Sequence, residues 1–170
     1  TIPGLRMLEK YAVLCGGGTN HRLDLAGGIL IKNNHIALGG GVPAVLERAL
    51  AGRKKGQRVQ VEVRSMRELE EALEYGAEAI LLDNMTPEEV RRAVERIRQA
   101  ASAPAAAGAA ENQEADGQAS GWIPIEASGG IVLENIRAYA EAGVNFISVG
   151  ALTHSACAAD ISMRIAAETA

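Results

Sequence analysis

Aromatic side chains are scarce in this sequence: one Trp, three Tyr and one Phe among 170 residues. A binder of single-stranded nucleic acid needs aromatic platforms on which bases stack, and this chain has few to offer. Double-stranded nucleic acid is disfavoured as well, because 17 Lys and Arg face 21 Asp and Glu for a net charge of −4, with no basic excess to track phosphates. No apolar stretch reaches the roughly 18 residues of a membrane span, and no secretory pattern opens the chain. The expectation is a protein with neither a nucleic-acid nor a membrane partner. Only two cysteines occur, Cys15 and Cys157, with no CxxC pair and no staple framework. They fit reduced thiols in a cytoplasmic protein. An initiator Met is also missing: the chain opens on Thr1-Ile2-Pro3-Gly4, as though it began inside a larger one.

What is present is ordinary globular composition, 48% hydrophobic and 22% charged, on a length that suits one domain spanning residues 1–170. Charge is uneven along it. Residues 1–60 carry nine Lys and Arg against three Asp and Glu, whereas residues 61–170 carry eight against eighteen. A basic front on an acidic chain suggests a local anion site; a solvated loop around Arg53-Lys54-Lys55 explains part of it.

Strand and helix signals alternate from residue 58 onward. Residues 58–63 place β-branched residues at every second position, a strand. Ser65 and Glu68 have the spacing of a capping box for a helix that stops at Gly76. Residues 79–83 form a short apolar strand, and Thr86-Pro87-Glu88-Glu89 opens a further helix. Residues 101–121, rich in Ala, Gly, Ser and Gln, read as a flexible surface insertion within a helix–strand connection. The alternation then resumes in phase, with a strand over 123–127, a helix over 132–142 ending at Gly143, and a strand over 145–149. In the front third, a helix around Leu5, Leu8 and Ala12 ends at Gly16-Gly17-Gly18, a strand covers 28–32, and a helix covers 42–50. Near-continuous apolar strands separated by helices imply a parallel sheet. Five strands are too few for a closed (β/α)8 barrel, which needs eight and typically about 250 residues. An open sheet or an incomplete barrel remains, and the placement of polar residues favours the incomplete (β/α) barrel.

In such barrels the chemistry sits at the C-terminal strand ends. Those ends carry Lys32, Glu62, Asp83, Ser128-Gly129-Gly130, and Gly150 with His154 beyond it. The alternation of Val59, Val61 and Val63 puts Glu62 on the opposite face with Gln60. A carboxylate there needs a cation. With Asp83 on the next strand it makes a plausible Mg²⁺ site, since Mg²⁺ takes few carboxylates together with waters and phosphate oxygens. The structural alternative has Glu62 paired with an internal Lys or Arg and Asp83 capping a loop. The two glycine turns leave backbone N–H groups for an anion. His21, Arg22 and Lys32 form a cationic set suited to a substrate with more than one carboxylate. No nucleophile with an adjacent base and no Walker loop stands out.

These residues run in the order of a known family. Residues 1–6, Glu9 to Val13, Gly16-Gly17-Gly18 with Asn20-His21-Arg22, Leu30 to His35, Leu81 to Met85, Glu126 to Gly130 and Ile147 to Ser155 resemble quinolinate phosphoribosyltransferase over nearly the whole chain except 101–121. The resemblance implies an enzyme of NAD biosynthesis: a carboxylating nicotinate-nucleotide pyrophosphorylase, cytoplasmic and homodimeric, using Mg²⁺. It also implies an α/β barrel of the TIM type, without the N-terminal α/β sandwich domain that the family carries before it. Quinolinate is then held by His21, Arg22 and Lys32. Phosphoribosyl pyrophosphate falls to Lys32, Glu62 and Asp83, with Ser128, Gly129, Gly130, Gly150 and His154 on phosphate, and Thr1 is a further substrate-binding residue. Lys32, Glu62 and Asp83 are the catalytic candidates, and Glu62 and Asp83 the metal ligands. The family pattern continues upstream of Thr1 with an Arg and a Lys absent here. The competing reading is a barrel fragment that binds phosphate or dicarboxylate ligands without turnover. A Schiff-base aldolase is disfavoured because Lys32 sits among anion-binding neighbours, and a nicotinate-specific transferase would not need the second-carboxylate clamp.

Overall fold

The computed structural model describes residues 2–21, 28–102 and 122–166. Of the expected insertion, Ala101 and Ser102 belong to a helix, a correction to its start; residues 103–121 lie outside the described residues.

Among the described residues the strands are β1 (Ile29–Ile31), β2 (Val59–Val63), β3 (Ala79–Asp83), β4 (Ile125–Ser128) and β5 (Phe146–Ser148). All neighbours pair in parallel, in the order β1-β2-β3-β4-β5. A doubly wound sheet reverses strand order at a switch point; a (β/α) barrel adds each strand beside the last. The molecule is an incomplete (β/α) barrel.

Each crossover carries helix. Between β1 and β2 lie α2 (Asn33–Gly39) and α3 (Val42–Gly52). The next crossovers carry α4 (Met66–Glu74), α5 (Pro87–Ser102) and α6 (Ile136–Glu141), and the short α7 (Ala151–His154) follows β5. On α5 the buried residues are Val90, Ala93, Val94 and Ile97, the i, i+3, i+4, i+7 spacing of one helical stripe. That stripe, with Val42 and Leu46 of α3 and Leu69 and Ala72 of α4, packs on Val61, Ile80, Leu82 and Ala127 in one apolar cluster. Each fully buried Leu, Ile or Val contributes about 1.5–3 kcal/mol relative to exposure. No helix of the described residues is long and apolar enough to cross a membrane.

Helix starts follow the capping chemistry. Ser65 Oγ accepts from the Glu68 amide at 3.2 Å, and Glu68 Oε2 accepts from the Arg64 amide at 2.8 Å, one residue earlier than in a capping box. At α5 the exchange is reciprocal: the Glu89 amide donates to Thr86 Oγ1 at 3.3 Å, and the Thr86 amide donates to Glu89 Oε2 at 2.8 Å. The Thr86 amide and hydroxyl hold the Glu89 carboxyl below its ordinary range.

Several boundaries differ from the sequence expectation. The strand expected over 123–127 begins at Ile125, since Pro124 has no N–H for a ladder, although its carbonyl accepts from Ile80 at 2.9 Å. The helix expected from Val132 begins at Ile136, because Asn135 bends the chain first: its Oδ1 accepts from the Val132 amide at 2.9 Å and its Nδ2 donates to the Gly130 carbonyl at 3.1 Å. Helix α2 was not foreseen. It is held at its start by His35, whose Nδ1 accepts from the Lys32 amide at 2.9 Å, and ends at Gly40 in the left-handed region at φ 90°. Helix α1 (Arg6–Cys15) forms where expected, yet buries none of its residues.

Candidate active site

Residues paired across a parallel ladder share a face of the sheet. The pairings Gln60 with Ala79, Glu62 with Leu81, Leu81 with Glu126, Asp83 with Ser128, and Ser128 with Ser148 gather the polar strand residues on the face turned away from the helices. At its C-terminal edge stand Lys32, just past β1, then Glu62, Asp83, Ser128 and the turn after β5.

Glu62 and Asp83 are diagonal neighbours on adjacent strands of this face. Asp83 Oδ2 accepts from Asn84 Nδ2 at 2.9 Å. Glu62 is half-buried, and among the described residues its carboxylate has no hydrogen bond or ion pair, so the internal Lys or Arg partner of the structural alternative is not found there. No group of three or more His, Cys, Asp or Glu gathers among the described residues to hold a metal ion by protein ligands alone. The two carboxylates, one without a partner, fit a cation that takes its remaining ligands from water and substrate, as Mg²⁺ does.

The turns after β3 and β4 lock together. The Asn84 amide donates to the Ser128 carbonyl at 2.8 Å, and Asn84 takes a positive φ of 55°. A Cβ on Gly129, itself at φ +94°, would stand 2.5 Å from Asn84 Oδ1 and 2.8 Å from its amide; only glycine permits this approach. The Gly129 and Gly130 amides donate to no described residue, which leaves them for an anion. One strand further on, α7 brings His154 back over Gly150, where an added Cβ would lie 3.2 Å from His154 Nε2.

The sequence reading passed over Glu126 as a site residue. It is 5% exposed, the one buried charged side chain among the described residues. Gln60 Nε2 donates to its Oε2 at 2.8 Å, Ser148 Oγ donates to Oε1, and His21 Nε2 lies 3.3 Å from Oε2. Burial pushes this carboxyl up, but hydrogen bonds from His21, Ser148 and Gln60 outweigh it and hold the group below its ordinary range. His21 is thereby brought to the polar face. Thr1 and Arg22 lie outside the described residues.

With this geometry in hand, the chain can be set beside known proteins. Residues 1–164 match the family described as quinolinate phosphoribosyl transferase, C-terminal domain. The chain belongs to the quinolinate phosphoribosyltransferase family. It is 42% identical over 165 residues to a probable nicotinate-nucleotide pyrophosphorylase [carboxylating] of Bacillus subtilis, covering 97% of this chain and 50% of that protein. The human nicotinate-nucleotide pyrophosphorylase [carboxylating] is 35% identical, with 99% and 50% covered. The nicotinate-nucleotide pyrophosphorylase structure from Francisella tularensis superposes with a TM-score of 0.72 at 38% identity, over 90% of this chain and 46% of that one.

The chain therefore spans about half the length of the relatives it matches. In a quinolinate phosphoribosyltransferase domain of this extent, the strand ends bring together Lys32, Glu62, Asp83, Ser128 to Gly130, Gly150 and His154 at one edge, with His21 at Glu126. The remaining histidine, His35, caps a helix. Glu126 was missed because it lies inside the run Ile125-Glu126-Ala127, which reads as core; the one available signal was an acid in an apolar strand, the same signal that singled out Glu62.

Proposed function

We propose that this chain carries the catalytic barrel of an enzyme transferring the phosphoribosyl group from phosphoribosyl pyrophosphate to quinolinate, with decarboxylation, in NAD biosynthesis. The observation that carries this reading is Glu62, a half-buried carboxylate on the polar face with no described partner, diagonal to Asp83 and facing a cationic and glycine-lined edge. His21, Arg22 and Lys32 hold the two substrate carboxylates, Lys32 also serves the phosphoribosyl donor, and Thr1 is a further substrate-binding residue. The amides of Gly129, Gly130 and Gly150, with Ser128 and His154, hold phosphate oxygens. Glu62 and Asp83 would hold Mg²⁺, which when bound offsets negative charge on the pyrophosphate.

In the reaction a bond forms between the pyridine nitrogen and ribose C1 as the bond from C1 to the pyrophosphate oxygen breaks. The ring carbon next to nitrogen then loses CO₂, and the pyridinium stabilises the electron pair left behind until a proton replaces it. The side chains contribute orientation and electrostatic stabilisation. Because α1 buries nothing, with Leu8 and Tyr11 each 65% exposed, the working enzyme is read as a homodimer whose N-terminal domain or second subunit covers this helix.

The test is product formation from quinolinate, phosphoribosyl pyrophosphate and Mg²⁺. These 170 residues tested alone are expected to turn over at least about 100-fold more slowly than a full-length relative, since they span about half of its length and precise positioning of the reactants is worth at least that much. Acceptance of nicotinate in place of quinolinate would sink the substrate assignment. Tight ligand binding with no turnover would support the second reading, a binding module.

A further inference from the structure

Glu126 has no task in the reaction above, yet it is buried at the centre of the polar face. A carboxylate withdrawn from water is costly unless hydrogen-bonded on all sides, and here the partners come from separate elements. Gln60 on β2 and Ser148 on β5 are part of the sheet, and they fix the two carboxylate oxygens from opposite sides. The third partner differs. His21 follows α1 outside any regular element, and its side chain is 39% exposed. A carboxylate held by two strands is a rigid acceptor, and an imidazole bonded to it through Nε2 is confined to one ring orientation with the proton on that nitrogen.

We propose that Glu126 is a positioning residue that orients the His21 imidazole for a carboxylate of the substrate. The role of His21 toward quinolinate rests on the functional reading above; the coupling of Glu126 to His21 does not. Ordering this ring in advance spares the ligand the entropy of doing so.

The test uses this chain, ¹⁵N-labelled at histidine, with pyridine-2,3-dicarboxylate as the probe. Glu126→Gln keeps the side-chain shape and removes the charge. It is expected to move the Nε2 resonance of His21 while those of His35 and His154 stay in place. Affinity for the dicarboxylate is expected to fall about 10-fold as the ordered ring is lost, while affinity for phosphoribosyl pyrophosphate is unchanged. In a His21→Ala background the same substitution is expected to cost no further affinity. Should Glu126→Gln fail to fold, Ser148→Ala replaces it, with a smaller loss in the same direction and the same dependence on His21. Unmoved His21 resonances, or an equal loss of affinity with and without His21, would overturn the proposal. If the wild-type chain binds no dicarboxylate, the functional reading falls, and the His21 resonance alone decides whether Glu126 holds the ring.

Discussion

The two faces of the sheet are made by the same strands, one residue apart, and they solve opposite problems. On the helix side Val59, Val61, Val63, Ile80 and Leu82 are fully buried under α3, α4 and α5, and nothing but apolar volume is required of them. On the other side the same strands present Gln60, Glu62, Asp83, Glu126, Ser128 and Ser148 in register. A one-residue slip would exchange the two sets, so burial of the apolar face is also what aims the polar one. Within the polar face the contrast repeats on a finer scale. Glu126 is buried with three partners, whereas Glu62 is half-buried with none among the described residues. The first has the environment of a group built into the scaffold. The second has that of a group waiting for something to bind.

The largest effect is expected on the apolar face. Leu82→Ala removes a side chain with 0% exposure from the centre of the cluster and is expected to destabilise the fold by about 2–5 kcal/mol, the transfer loss plus the cavity. Denaturant unfolding should show a lower midpoint at an unchanged slope. A loss under about 1 kcal/mol would mean that the helices pack far more loosely on this face than its burial indicates.

Glu126→Ala comes next, with an expected loss of about 1–3 kcal/mol from the orphaned donors of Gln60 and Ser148. Its pH dependence separates this site from the apolar face. The folded state holds the Glu126 carboxyl below its ordinary range, so its contribution is fully present above the unfolded value of about 4.3. It is lost as pH falls through the lower folded value, because the unfolded chain takes up the proton first. Stability of the wild type and of Glu126→Ala should therefore converge in acid, whereas Leu82→Ala should stay offset from the wild type by the same amount. Parallel curves for all three proteins would show that hydrogen bonding does not hold this carboxyl down.

How much of this was legible beforehand depended on range. Alternation over Val59 to Val63 is a local signal, and it sufficed to put Glu62 on the face opposite the valines. The capping residues Ser65 and Thr86, the glycine stop after α1 and the run Ala79 to Asp83 are local too, and all were found where expected. Glu126 was not legible as a site residue, because what makes it one lies 66 residues away at Gln60 and 22 away at Ser148. Only the ladder register joins them. Helix α2 was hidden for a different reason: its cap is a histidine nitrogen rather than a hydroxyl or carboxylate, and its seven residues end in consecutive glycines. The cap on α2 also reassigns His35, which stood among the quoted motif residues without a role, to holding the backbone at Lys32.

The smallest effect on stability is expected at Glu62, and it is the sharpest test of the contrast between the two acids. Glu62→Gln removes a charge that no described residue pairs with, on the strand beside Asp83, where two like charges on adjacent strands repel. Stability should change by no more than about 0.5 kcal/mol, and any change should favour the variant. Binding of phosphoribosyl pyrophosphate in the presence of Mg²⁺ should nevertheless weaken at least about 10-fold, close to 1.4 kcal/mol, while binding without Mg²⁺ is unaffected. A stability loss as large as that of Glu126→Ala would make Glu62 a structural acid like its neighbour. Unchanged Mg²⁺-dependent binding would remove it from the proposed metal site. The combination of full stability and lost Mg²⁺ response is what a carboxylate reserved for a ligand must show, because a side chain that contributes nothing to the fold has no other reason to be held half-buried on this face.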